Sequence, residues 1–178
     1  GKNGIFPVDD KAIAYMKEHS KRQYTIYEAD EDAVYDEEYT IDLSTLRPTI
    51  AFPHLPENTR TIDEIKEDIR IDQVVIGSCT NGRLEDLMAA AEGLKGKKVA
   101  DFVKLIVTPA SRKIYRQAIE LGILDTLAEA GAIITHPGCG LCCGRTGGIL
   151  TDGEKVVATN NRNFLGRMGT SKVGIYLG

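Results

Sequence analysis

The feature that most restricts the fold is a series of short, predominantly apolar runs that begins at Gln73 and alternates with helix-length segments. Because these runs are apolar at consecutive positions, they predict strands of a parallel sheet that is buried on both faces. Helices of about ten residues suit the crossovers that parallel strands require. The pattern therefore predicts an α/β fold over residues 61–178, a three-layer α/β/α domain with a mostly parallel sheet. The predicted strands are residues 74–77, 102–107, 132–135, 155–158 and 173–177, and the predicted helices are 84–94, 111–121 and 124–130.

Residues 1–60 lack this alternation, and we predict a looser N-terminal segment there, made of one helix and an irregular linker. Asp9 is a suitable N-cap for a helix that reaches about His19. Residues 39–43 alternate in polarity as a strand does.

Three prolines fall within residues 48–56, and they predict irregular chain because proline lacks a backbone donor. Thr61 then begins the second domain. Thr61 and Glu64 have the spacing of a capping box, which predicts a further helix from this point.

The chemistry of the chain is concentrated in its four cysteines. Cys139, Cys142 and Cys143 lie in HPGCGLCCGRTGG, and Cys79 follows the first apolar run. The C-x-x-C spacing of Cys139 and Cys142 lets two thiolates bind one metal centre. Loops at the carboxyl ends of parallel strands are where such sheets bind ligands. We therefore favour three thiolates, from Cys79, Cys139 and Cys142, on one iron–sulfur cluster with one iron left open to a substrate.

Other interpretations of the cysteines stay open on spacing alone. A C-x-x-C pair also occurs in zinc sites, in redox dithiols and in reducible disulfides. A structural zinc site requires four protein ligands, and adjacent cysteines rarely both reach one tetrahedral metal. We therefore interpret Cys143 as a small buried apolar residue.

A second candidate site lies in NNRNFLGR, which follows the predicted strand at residues 155–158. Arg162 and Arg167 are five residues apart and are flanked by amides and a glycine. A guanidinium group grips a carboxylate with two charge-assisted hydrogen bonds, which favours small carboxylic acids as ligands. The alternative is two ordinary surface arginines.

Composition excludes several classes of function. The net charge of −4 and the absence of a basic stripe argue against nucleic-acid binding. No apolar run approaches the roughly 20 residues of a membrane span. Four cysteines in 178 residues do not make a disulfide framework and fit a reducing cytoplasm. The chain begins with Gly1 and stops inside an apolar run, so we expect a piece of a longer protein.

Three stretches, IGSCTNGR, PGCGLCCG and NNRNFLGRMG, resemble the signature sequences of the aconitase superfamily, and residues 42–58 resemble the segment upstream of them. The resemblance implies the iron–sulfur domain fold of that family. It also implies that Cys79, Cys139 and Cys142 bind a [4Fe-4S] cluster. It further implies that Asn161, Arg162 and Arg167 line the substrate pocket and bind the carboxylates of the substrate. The family commonly has an aliphatic residue where this chain has Cys143, which leaves a spare thiol beside the cluster.

The resemblance further implies part of the large subunit of a hydro-lyase that interconverts 2-isopropylmalate and 3-isopropylmalate in leucine biosynthesis. A homocitrate isomerase and a non-catalytic zinc or cluster module are the alternatives. The implied partners are a small subunit and a small dicarboxylic or tricarboxylic acid. No motif here matches the family's acid–base residues. We therefore assign no catalytic residue to this chain and expect no activity from it alone.

Overall fold

The computed structural model of the protein describes residues 4–178. The chain divides into two compact units, one that ends at Ser44 and one that covers Thr45–Gly178. The second unit therefore begins ahead of the domain boundary predicted at residue 61. Within the described residues, no helix has the length and apolar character needed to cross a membrane.

The described residues of the first unit form one α-helix, α1 (Asp10–His19), and the prediction of a helix capped by Asp9 is confirmed. The Asp9 carboxylate accepts a hydrogen bond of 2.7 Å from the Ala12 amide. The prediction of a strand at residues 39–43 is wrong. Tyr39 and Ile41 are 81% and 71% exposed, and the chain continues without regular structure to a 3₁₀-helix at Leu43–Thr45. Alternating polarity does not form a strand when neither face is buried.

The second unit is built on one seven-stranded sheet, with strand order β2-β1-β7-β6-β3-β4-β5. Strands β3 to β7 are mutually parallel, whereas β1 is antiparallel to both β2 and β7. The prediction of an α/β fold with a mostly parallel sheet is confirmed. The strands are β1 (Thr49–Ala51), β2 (Thr59–Thr61), β3 (Gln73–Gly77), β4 (Lys104–Thr108), β5 (Ile133–Ile134), β6 (Lys155–Ala158) and β7 (Gly174–Leu177).

The prediction of an irregular segment at residues 48–56 is wrong, because β1 lies inside it. Pro48 precedes this strand and Pro53 follows it, so the prolines flank the ladder and remove none of its donors. Ala51 pairs with Leu177 of β7, which joins the β1–β2 hairpin to the parallel sheet.

The helix predicted to begin at Thr61 is only a single 3₁₀ turn, Ile62–Glu64. The capping interaction is present, since the Thr61 amide donates to Glu64 Oε2 at 2.9 Å. Thr61 is also the last residue of β2, and the chain turns back to extended backbone at Ile65.

Three helices cover one face of the sheet: α2 (Leu84–Leu94), α3 (Arg112–Glu120) and α4 (Ile123–Glu129). Their buried side chains form one core with Leu105 and Val107 of β4. The opposite core contains Val75, Ile106 and Val156. In the described part of this unit, loops and a short 3₁₀-helix cover that second face in place of a layer of α-helices, through Leu141, Leu150 and Met168.

The connectivity creates a switch point between β3 and β6. From β3 the chain proceeds to β4 and β5 on one side and then returns to β6 and β7 on the other. Loops that leave the carboxyl ends of two such strands diverge and create a crevice for ligands. Cys79 follows β3 and Asn160 follows β6, so both predicted sites lie at this edge.

Candidate metal and carboxylate site

The loop that carries Cys79 is attached to the loop after β6. The Gly77 amide donates to Thr159 Oγ1 at 2.9 Å, and the Asn81 side-chain amide donates to the Thr159 carbonyl. Asn81 has a φ of 55°, a left-handed conformation that asparagine tolerates. These two bonds bring the first cysteine loop next to the segment that begins the carboxylate site.

The same Cys79 loop packs against the end of β4. A Cβ built on Gly82 would lie 2.7 Å from the Thr108 carbonyl oxygen, and one built on Gly77 would lie closer still. The Ala110 amide also donates to the Gly82 carbonyl at 2.8 Å. Glycine is therefore required at both positions because the backbones approach so closely.

The second cysteine loop reaches the same threonine from the other side. A Cβ built on Gly140 would lie 2.9 Å from Thr108 Oγ1. The two hydroxyls of Thr108 and Thr135 are 2.7 Å apart, and Thr135 begins the segment that leads into this loop. Both cysteine-bearing loops therefore meet around Thr108.

The four cysteines differ in their environments. Cys79 and Cys139 are exposed, Cys142 is buried, and Cys143 is partly exposed. The interpretation of Cys143 as a buried apolar residue is therefore wrong. The Cys143 thiol donates to the Gly140 carbonyl at 3.2 Å. In the 3₁₀-helix Gly140–Cys143, the buried cysteine is Cys142 instead.

A cavity of about 340 Å³ lies beside this loop, and Cys139 and Cys143 line it together with His136 and Thr146. Among residues 4–178, no three side chains of the histidine, cysteine, aspartate or glutamate type are grouped closely enough to hold a metal ion. The fold thus brings the loops with Cys79, Cys139 and Cys142 to one edge without gathering the three thiols.

The loop after β6 carries polar groups that lack partners. Arg162 and Asn161 are exposed. Arg167 is half-buried, and its Nε atom is buried without a hydrogen-bond partner among the described residues. The Nδ2 atom of Asn160 is also buried without a hydrogen-bond partner among the described residues, and the residue as a whole is 4% exposed. Buried donors without partners are uncommon, so these two atoms suit an acceptor such as a carboxylate.

Two contacts attach this loop to the rest of the site. A Cβ built on Gly144 would collide with the Arg167 carbonyl, so the second cysteine loop and the arginine segment lie against each other. A second cavity, of about 290 Å³, is lined by Asn81, Asn160 and Asn161 together with residues of the β1–β2 hairpin. The predicted amide, arginine and cysteine positions therefore belong to one contiguous region of the sheet edge.

Two residues that organise this region were not predicted from the sequence. Asn163 is fully buried, and its Nδ2 atom donates to the carbonyls of Phe52 at 2.9 Å and Leu55 at 3.3 Å. Thr108 is also fully buried. Their positions were the only signal in the sequence. Asn163 lies inside the arginine motif, and Thr108 directly follows the strand predicted at residues 102–107.

Comparison with known proteins identifies the class to which this fold and site belong. The profile of the aconitase family (aconitate hydratase) matches residues 1–68 and 63–178, so the match extends over the whole chain. The chain belongs to the aconitase family.

Individual relatives are more specific. The chain is 59% identical over 177 residues to the 3-isopropylmalate dehydratase large subunit of Clostridium botulinum, a match that covers 99% of this chain and 42% of the relative. Proteins of the same name from Clostridium kluyveri and Acetivibrio thermocellus are each 60% identical over 176 residues, with the same coverage. The chain thus spans less than half the length of these curated relatives.

Proposed function

We propose that this chain is the cluster-bearing part of the large subunit of a hydro-lyase that interconverts 2-isopropylmalate and 3-isopropylmalate. The observation that carries the proposal is the meeting of the two cysteine loops around Thr108, beside the loop that bears Arg162. The names of the relatives support the substrate. Homocitrate is the alternative substrate, and assays of the complete heteromeric enzyme on both acids would distinguish them.

The residues present fit a [4Fe-4S] cluster in kind, and the loops that carry them meet at one edge of the sheet. Cys79, Cys139 and Cys142 would supply three thiolates, from loops that already contact a common residue. Three thiolates suit a four-iron cluster better than a structural zinc ion, which requires four protein ligands. When bound, such a cluster supplies a Lewis-acidic iron with an open position for a hydroxyl and a carboxylate.

The chain's own contribution to the reaction is to bind and orient the acid. Arg162 and Arg167 would hold its carboxylates with bidentate hydrogen bonds, and Asn161 would donate a further one. The unpartnered Nε of Arg167 supports this role, because a carboxylate oxygen would satisfy it. Holding the acid by its carboxylates orients the carbon that loses or gains water.

The proposal extends to the surroundings of the chain. The relatives are named large subunits, and we propose a small-subunit partner for this chain as well. Its four cysteines are unpaired, which supports a reducing cytoplasm as its location. We expect no dehydration activity from the purified chain alone, and full turnover after cluster reconstitution would contradict this.

Metal analysis of the chain prepared without oxygen tests the cluster. After reconstitution with iron and sulfide, we expect about four iron atoms per chain, the content of one [4Fe-4S] cluster. Cys79→Ser should abolish iron uptake, because it removes one of three thiolates. One zinc per chain and no iron would indicate a binding module instead. A Cys79→Ser variant that keeps dithiol exchange activity would indicate a redox pair at Cys139 and Cys142.

A further inference from the structure

We propose that Thr108 is a positioning residue that sets the separation between the two cysteine-bearing loops. The inference rests on the proposed cluster, and it assigns a task to a residue that contributes no ligand. Thr108 is the last residue of β4, which lies between β3 and β5 in the sheet. It therefore stands between the strand that leads to Cys79 and the strand that leads to Cys139.

The backbone of Thr108 supports the first loop. Its carbonyl oxygen faces both Gly77 and Gly82, the residues that flank the turn with Cys79. A side chain at Gly82 would also collide with the Ser78 carbonyl and approach the Ala110 amide at 3.0 Å. This loop therefore has no room to move toward β4.

The side chain of Thr108 supports the second loop. Its Oγ1 and Cγ2 atoms lie 2.9 Å and 3.5 Å from the position of a Cβ on Gly140. The hydroxyl is held in place by Thr135, whose own Oγ1 donates to the Val107 carbonyl at 3.3 Å. Thr108 is fully buried, so the surrounding atoms restrict rotation of its side chain away from Gly140.

It follows that the size of this contact controls how closely the cysteine loops approach each other. Gly140→Ala adds a methyl group 2.9 Å from Thr108 Oγ1 and should push the second loop outward. Thr108→Ala in the same chain removes the obstructing atoms and should restore the loop. Gly96→Ala is the matched control: Gly96 also has positive φ, 69° against 53° at Gly140, but nothing lies within 4 Å of its Cβ position.

The first measurement uses the metal-free chain, so it does not depend on the cluster. Cys79 and Cys139 are both exposed, so both thiols can react with a short bismaleimide. Mass spectrometry of the digested chain gives the yield of that cross-link. We expect Gly140→Ala to lower the yield about tenfold, and Gly140→Ala with Thr108→Ala to match Thr108→Ala alone within about twofold. Gly96→Ala should equal the wild-type chain.

The second measurement is the rate of iron release to a chelator, with thermal unfolding recorded for every variant. Gly140→Ala should release iron about tenfold faster than the wild-type chain, and the double variant should recover. Where Gly140→Ala does not fold, Thr108→Ile enlarges the same contact from the other side and should give the same loss.

A Gly140→Ala chain with wild-type cross-linking, or a double variant without recovery, overturns the assignment of Thr108. An equal loss in Gly96→Ala also overturns it, because backbone strain alone would then explain the effect. A wild-type chain that binds no iron refutes the proposed function instead, and in that case the cross-linking yields alone decide whether Thr108 sets the separation.

Discussion

Replacing Asn163 with alanine tests how the arginine loop is fixed to the edge of the sheet. Asn163 is fully buried and lies in the loop between β6 and β7. Its side-chain amide donates to the Phe52 carbonyl at 2.9 Å and to the Leu55 carbonyl at 3.3 Å. These two bonds hold the connection between β1 and β2 against the arginine loop.

The expected cost follows from these bonds. Each hydrogen bond contributes about 1 kcal/mol, and a buried carbonyl left without a donor costs about 1–3 kcal/mol. Phe52 is 9% exposed, so water cannot replace the lost donor there, whereas the chain at Leu55 is 48% exposed and can be rehydrated. We therefore expect Asn163→Ala to lower the free energy of unfolding by about 2–3 kcal/mol.

Asn58 provides a matched control in the same connection. Its Nδ2 atom donates to the Pro53 carbonyl at 3.1 Å, but the residue is exposed. Water can take over that bond, so Asn58→Ala should change the free energy of unfolding by about 0.5 kcal/mol or less. Urea unfolding followed by circular dichroism measures both variants, with unchanged m-values as the condition for comparison. Equal losses in the two variants would refute the role of burial in this reasoning.

Three further changes test other parts of the structure. Cys143→Ser should leave the iron content of the reconstituted chain at its wild-type value, because its thiol donates to the Gly140 carbonyl and we assign it no metal; a loss of iron would make it a ligand. Gly148→Ala should destabilise the chain by about 1–3 kcal/mol in urea unfolding, since its Cβ would collide with Ile106 and its φ is 90°; an unchanged midpoint would contradict that contact. The pKa of Glu64 is lowered because the Thr61 amide and hydroxyl donate to it, so its stabilising effect is present at neutral pH and is lost as the pH falls through that lowered pKa. Glu64→Gln should therefore reduce the loss of stability on acidification, and identical pH profiles would exclude this linkage.

Much of the fold was predictable because it depends on local pattern. The strand at Lys155–Ala158 and the helix at Leu84–Leu94 agree with the predicted bounds. The strand β1 was missed because prolines on both sides obscured it, and its formation depends on pairing with β2 and β7. The expected strand at residues 39–43 failed for the opposite reason, since its alternating pattern has no partner strand.

The candidate site also combines features that were predictable from the sequence with features that only the tertiary structure decides. The sequence by itself determined which chemical groups are available, since C-x-x-C spacing and paired arginines are properties of neighbouring residues. Only the tertiary structure decided that the loops with Cys79 and Cys139 meet at Thr108, and that Cys142 is buried while Cys143 is partly exposed. The physical reason is that these relations depend on close packing between segments far apart in the chain, where a single Cβ atom decides whether two loops can touch.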